Sequence, residues 1–423
     1  MKNKKLLIIT FCLVLTTSFV GCKKTPNELS STLSNNNNSS AMGSIMENTS
    51  QTTSQTTSTP SNDTTVSSNK NTTSATSSEE IIDLEEKYGF SSLKSVEYKC
   101  INDIPSGNAQ YEITDIITNK GNSISYMGVI SCKEKDITID GFVVTVPYEY
   151  RQKHNSVTLT AKHRASNLSC DFTITFEKWN LVFEDDFNGT QLDTSIWGDI
   201  WDTSLTTEVR DPFYFGYKKD MAFLDGKGNL INRVYATGDF SDDGRPLYKS
   251  SLISTKGCYE STYGYYEIRM IPHRANSIKS SFWLMAGDMG DPDAPNDNSS
   301  VNGCEIDIIE TLSNLNRSCQ ALHWDGYYNG QTKSKVYDKI ETPYIYDGKY
   351  HTFAVLWTPD EFIFTIDGKV TTRDSAAGGC KQPAYMLISS HVGTWGGDIT
   401  LKPGEYSDMI VDYVRIYSNP NYK

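Results

Sequence analysis

Apolar and polar residues alternate with a period of two along most of the chain, and no long stretch repeats with a helical period. After Trp179 the alternating runs are Tyr265–Met270, Phe282–Met285, His351–Trp357, Phe362–Ile366 and Ile410–Tyr417. Asp367-Gly368 separates one run from Lys369-Val370-Thr371, a strong two-residue hairpin signal. Alternate residues of a strand share a face. Residues 179–423 are therefore expected to form an all-β domain, at this size a large sandwich of two curved sheets.

Shorter runs fill residues 81–178: Tyr111–Thr114, Ser123–Tyr126, Phe142–Val146, Ser156–Thr160 and Phe172–Phe176, after a short helix that starts near Ile81–Leu84. Turn residues separate the runs at roughly ten-residue intervals, the pattern of a small antiparallel sandwich. It resembles the bacterial Ig-like modules appended to surface enzymes and is expected to act as a spacer; whether it also binds sugar is left open.

Before it the pattern stops. Residues 22–80 are largely Ser, Thr and Asn, and such a segment cannot bury enough apolar surface to offset chain entropy. It reads as a flexible tether. Residues 1–21 read as a signal peptide, with a basic start at Lys2-Asn3-Lys4-Lys5 and an apolar stretch from Leu6 to Val20. Phe19-Val20-Gly21-Cys22 resembles a bacterial lipobox. Cys22 is then the lipidated residue, and the protein is expected at the bacterial cell surface, touching the membrane only through that anchor.

Composition narrows the functional classes. The 423 residues suit two or three domains. A formal charge of -13 argues against a nucleic-acid partner. Beyond Cys12 in the signal and Cys22, seven cysteines remain, with no CxxC pair. That argues against both a zinc cluster and a full disulfide framework, and leaves buried thiols with one or two bridges at most.

The chemistry is concentrated in Glu305-Ile306-Asp307-Ile308-Ile309-Glu310. On a regular strand Glu305 and Asp307 share a face, and Glu310 falls on the other. One extra residue at Ile308-Ile309, a β-bulge, brings Glu310 back. Three carboxyls on one face repel one another, so a structural role gives them no reason to be there. Glycoside hydrolysis does: one carboxylate attacks the anomeric carbon, another holds a proton for the leaving oxygen, and Asp307 biases which of them holds it.

The motif resembles the Glu-x-Asp-x-x-Glu signature of glycoside hydrolase family 16, in its bulged, laminarinase-like form. Leu181–Gly189 with Leu192-Asp193 and Trp197 is similar to that family's opening strand. Gly264–Met270 and Ser281–Met285 resemble the strands before the catalytic one, and Val411–Tyr417 resembles the last strand. The resemblance implies a β-jelly roll with an open cleft and retaining endo-hydrolysis, with Glu305 as nucleophile, Glu310 as acid/base and Asp307 as the assisting acid. It also implies sugar stacking at Trp283 and Trp395 and a structural calcium held by Asp186 and Asp412; His323, on the strand expected beside the catalytic one, and Trp201 are further candidates for sugar contact. No cofactor is expected for catalysis, and the chain is expected to act as a monomer on a polysaccharide or glycan.

Two segments depart from the laminarinase pattern. Asp291–Asn298 stands where a Trp-Pro segment is usual, and Ser389-Ser390-His391-Val392-Gly393-Thr394-Trp395 replaces Asn-x-x-Val-Gly-Gly-x-Trp. The acidic run from Asp288 to Asp297 lacks the Gly and closing Glu of an EF-hand and reads as a solvated loop. An endo-β-1,3-glucanase is the first reading. An endo-β-galactosidase acting on galactan or mucin-type glycans is the second, and a non-catalytic carbohydrate-binding surface protein is the third.

Overall fold

Asp367 and Gly368 both adopt positive φ, 51° and 72°, as a two-residue turn with the twist of its strands requires. The turn joins Phe362–Ile366 to Lys369–Asp374, with Ile366 opposite Lys369. The computed structural model describes residues 83–422 apart from 211, 287–288, 290–302, 313–314, 328–331, 376–379 and 394–397. Cys22, Trp395 and nearly all of the acidic loop at 288–297 therefore lie outside the described residues.

A helical turn at Leu84–Tyr88, capped by Asp83, opens the first sandwich. Its strands are β1 (Leu93–Asn102), β2 (Ala109–Thr118), β3 (Gly128–Cys132), β4 (Thr138–Asp140), β5 (Val143–Val146), β6 (Ser156–His163) and β7 (Ser169–Thr175). They form two sheets, β1-β2-β5-β4 and β3-β6-β7. Of the expected strand at Ser123–Tyr126, Ser123 makes a single antiparallel bridge to Ile117, and the chain then enters a short 3-10 segment, Ser125–Met127. The Ser125 hydroxyl accepts from the Ile116 amide at 3.1 Å, and Ser123 hydrogen-bonds Asp115. These side-chain bonds compete with ladder pairing.

The second sandwich contains β8 (Asn180–Asp185), β9 (Asp199–Ile200), β10 (Glu208–Arg210), β11 (Phe213–Tyr217), β12 (Ala222–Leu224), β13 (Leu230–Phe240), β14 (Pro246–Ser250), β15 (Leu252–Ser254), β16 (Gly264–Ile271), β17 (Ile278–Met285), β18 (Cys304–Leu312), β19 (Arg317–Trp324), β20 (Lys333–Glu341), β21 (His351–Trp357), β22 (Phe362–Ile366), β23 (Lys369–Asp374), β24 (Tyr385–Val392) and β25 (Tyr406–Ser418). One sheet runs β20-β19-β18-β17-β24-β15-β9. The other runs β10-β11-β14-β13-β25-β16-β21-β22-β23, with β8 added on β25 and β12 on β13. The core contains Phe282, Leu284, Ile306, Ile308, Leu322 and Ile388 from the first sheet, and Ile268, Phe353, Phe364, Val414 and Ile416 from the second.

Strand β22 is buried on both faces. Phe362, Phe364 and Ile366 enter that core, while Ile363 joins Ile104 of the first sandwich, Tyr265, Ala354 and Leu356 in a second cluster. That double burial explains a near-continuous apolar run in place of clean alternation. Asp103 fixes the same junction. It is ion-paired with Arg151 at 2.9 Å and accepts from the Glu177 amide at 2.8 Å, and its carbonyl accepts from Trp179 Nε1 at 2.9 Å.

Of the cysteines, Cys304 and Cys380 form a disulfide with Cα atoms 5.2 Å apart. Cys100, Cys132, Cys170, Cys258 and Cys319 are free thiols.

Candidate active site

Strand β18 carries the three acids, and its register explains their placement. Against β19, Asp307 lies opposite Ala321 and Glu310 opposite Cys319. Two residues, Ile308 and Ile309, thus oppose the single Gln320. Against β17 the same shift occurs, with Ile309 opposite Phe282 and Asp307 opposite Trp283. Both isoleucines are fully buried in the core, and Glu310 returns to the face of Glu305 and Asp307. The bulge thus costs ladder bonds but buries two apolar side chains in succession.

The neighbouring strands supply the rest of the face. On β17 the positions matching the acids are Met285, Trp283 and Ser281, opposite Glu305, Asp307 and Glu310. Two residues further back on that face is Lys279, which lies opposite His391 of β24. On β19, His323 lies opposite Glu305.

Glu305 and Asp307 are buried, and with His323 they bring ionisable atoms within 4.8 Å of one another. His323 Nε2 lies 3.2 Å from Asp307 Oδ2, and its Nδ1 lies 2.6 Å from Ser334 Oγ. Burial lowers the His323 pKa, but the hydrogen bond and charge of Asp307 outweigh it and push the ring up to about 9. Burial also pulls Asp307 upward, and the His323 proton opposes that pull. The contact is an imidazolium–carboxylate pair.

The two glutamates have been driven apart. Burial and then the Asp307 charge push Glu305 up to about 8, against the pull of His323 and a hydrogen bond donated by the Tyr327 hydroxyl. One Glu305 oxygen, Oε2, is buried with no hydrogen-bond partner among the described residues. Glu310 is shifted the other way. Burial would raise it, but the Lys279 ammonium, 2.7 Å from its Oε1, holds the carboxyl below its usual range. The surroundings thus favour the protonated form of Glu305 and the ionised form of Glu310.

The remaining sequence candidates fall at differing places. Trp283 is half-buried on the acids' face, and its Nε1 donates to Ser389 Oγ at 3.0 Å. Trp201 is half-buried, donates to Asp199 Oδ2 at 3.2 Å, and stands edge-on to Tyr217 at 5.5 Å. Trp201, Trp283 and Tyr327 pack on the same apolar cluster, apart from the core between the sheets. Asp412 is ion-paired with Arg269, and Asp186 is bound by the amide and side chain of Asn188. A guanidinium on Asp412 is the wrong neighbour for calcium, so this donor set does not fit the ion. Lys279, Tyr327, His391 and Ser281 belong to the face although the motif does not contain them.

Residues 213–415 match the family described as Glycosyl hydrolases family 16. Endo-1,3-1,4-beta-glycanase EglC of Rhizobium meliloti is 26% identical over 263 residues, which is 56% of this chain and 51% of that protein. Glucan endo-1,3-beta-glucosidase A1 of Niallia circulans is 25% identical over 271 residues, 56% of this chain and 38% of that protein. The chain thus spans about half, or less, of these curated relatives. The laminarinase catalytic domain of Thermotoga petrophila is 22% identical, with a TM-score of 0.45 over 58% of this chain and 100% of that one.

Proposed function

We propose, from the premise that residues 213–415 are a family 16 glycosyl hydrolase domain, that this protein is a retaining, endo-acting β-glycosidase of the endo-β-1,3-glucanase kind. The observation that carries the reading is the bulge that puts Glu305, Asp307 and Glu310 on one face. The names of the curated relatives, a 1,3-1,4-β-glycanase and an endo-1,3-β-glucosidase, support the substrate class.

Glu305, as carboxylate, attacks the anomeric carbon, and its unpartnered Oε2 is the oxygen free to do so. Glu310 gives its proton to the leaving oxygen, then takes one from the water that releases the sugar. The His323 imidazolium, held in place by Asp307, stabilises the charge on Glu305 once that group has ionised. Trp283 and Trp201 offer aromatic faces to sugar rings, and Trp395 is assigned the same role from its sequence position. The two carboxyl groups do the chemistry without a cofactor. The chain acts as a monomer, tethered to the outer face of a bacterial membrane through lipid on Cys22.

The test is digestion of laminarin, lichenan, agarose-type and mucin-type glycans, following reducing ends and product size. Internal cleavage of a β-1,3-glucan supports the reading. Cleavage of the galactan or mucin substrates alone moves it to an endo-β-galactosidase. No cleavage of any of the four removes the enzymatic reading.

A further inference from the structure

Tyr327 reaches Glu305 from outside the catalytic strand. Its hydroxyl donates a hydrogen bond to the Glu305 carboxyl. Oε2 has no partner among the described residues, so the acceptor is Oε1. The two oxygens of the nucleophile are thereby distinguished. A carboxyl tied at one oxygen cannot turn freely, and the other oxygen is left to attack.

The turn that delivers the tyrosine is unusual in its backbone and in its charge. Strand β19 ends at Trp324, and Asp325 and Gly326 then both take positive φ, 67° and 74°. That conformation is unfavourable for a residue with a side chain, although aspartate tolerates it better than most. It brings the Tyr327 amide to the carbonyl of the fully buried Met289, to which it donates at 3.0 Å. The Asp325 side chain is fully buried, and its Oδ2 is paired with Lys333 Nζ of β20 at 2.9 Å. Thr332, next to Lys333, donates through its hydroxyl to the Gly326 carbonyl at 2.7 Å. A buried carboxylate in an ion pair is weak evidence for stability, because apolar side chains of like size often serve as well. What the pair supplies here is a fixed place for the residue that follows.

We propose that Tyr327 is a positioning residue for the nucleophile, holding Glu305 by Oε1 so that Oε2 attacks, and that the Asp325–Lys333 pair is the latch that keeps Tyr327 there. The inference rests on the glycosidase reading and goes beyond it to how the nucleophile is aimed. In the first step Oε2 bonds to the anomeric carbon, and the glycosidic oxygen leaves with the proton of Glu310. Oε1 becomes the ester carbonyl and keeps its hydrogen bond. In the second step water gives a proton to Glu310 and displaces the carboxylate, and the Tyr327 hydroxyl meets the charge that returns to Glu305. The same bond favours the ionised form of Glu305 against the burial that raises it.

The test is kinetic, on whichever of laminarin, lichenan, agarose-type and mucin-type glycans the full chain cleaves. Tyr327→Phe keeps the ring and removes only the hydroxyl. Its kcat should fall about 10- to 100-fold, as for loss of a hydrogen bond to a charged group, with KM nearly unchanged. Asp325→Asn keeps the shape and the tolerance for positive φ but removes the charge, and should also lower kcat. In the Tyr327→Phe background the same substitution should add little further loss, since the hydroxyl it positions is already gone. Unchanged kcat in either single variant, a change confined to KM, or losses that multiply in the double variant overturns the inference and leaves the glycosidase reading standing. If Asp325→Asn does not fold, Lys333→Met replaces it in both backgrounds, and Lys333→Arg, which keeps the charge, should retain kcat. If neither folds, Tyr327→Phe decides. No cleavage of any of the four glycans by the unmodified protein removes the glycosidase reading and this inference with it.

Discussion

His323 and Asp307 form an ion pair at 3.2 Å on neighbouring strands, and it lies beside the buried Glu305. With Lys279 on Glu310, it gives the face two cations for three acids. Among the described residues, Glu305 is the acid without a cation of its own.

That arrangement has a stability signature. Glu305 is raised from 4.5 to about 8, chiefly by burial. Below pH 4.5 it is protonated both folded and unfolded. Between 4.5 and 8 the unfolded chain has lost the proton and the folded one retains it, so stability falls as pH rises through that window. Glu305→Gln removes this slope. Its Tm should match the unmodified protein near pH 4 and exceed it by about 3–6 °C at pH 8. An equal difference at both pH values would contradict the assignment.

Much of this site was legible in the sequence, and the reason is period. Two-residue alternation located the strands, and its failure between Asp307 and Glu310 located the bulge. Carrying the same alternation back from Trp283 through Ser281 reaches Lys279, so the cation had a signal that the run Phe282–Met285 cut short. Tyr327 and His391 had none. They reach the acids from a loop beyond β19 and from β24, and no local spacing encodes those approaches. The calcium assignment rested on position in a resembling family, which does not reveal that Arg269 is the partner of Asp412.

The disulfide sits beside the reacting group. Cys304 precedes Glu305, and its bridge to Cys380 closes a span of 76 residues. Cys380→Ser should lower unfolding free energy by about 2–4 kcal/mol, measured by denaturant unfolding, with the Cys304→Ser variant behaving alike. Unchanged stability in both would mean that the bridge does not form.

Anchoring has its own check. Cys22→Ala should move the protein from the membrane fraction to the medium, followed by immunoblot. Equal membrane partition of the variant and the unmodified protein would remove the lipid anchor.

The roles of the two glutamates are tested most directly by the anomer formed with azide. An activated aryl β-glycoside of the sugar that the protein cleaves has a leaving group good enough to depart without an acid. In Glu310→Ala the glycosyl-enzyme on Glu305 still forms, and azide attacks it without needing a base. The product is the β-azide, of retained configuration. In Glu305→Ala no intermediate forms, and azide enters the vacated space and attacks directly, giving the α-azide. Both variants should lose several orders of magnitude in kcat on the polysaccharide. The opposite pair of anomers would assign attack to Glu310, whose carboxyl the Lys279 ammonium holds below its usual range, and near-normal activity of both variants would contradict the catalytic account altogether.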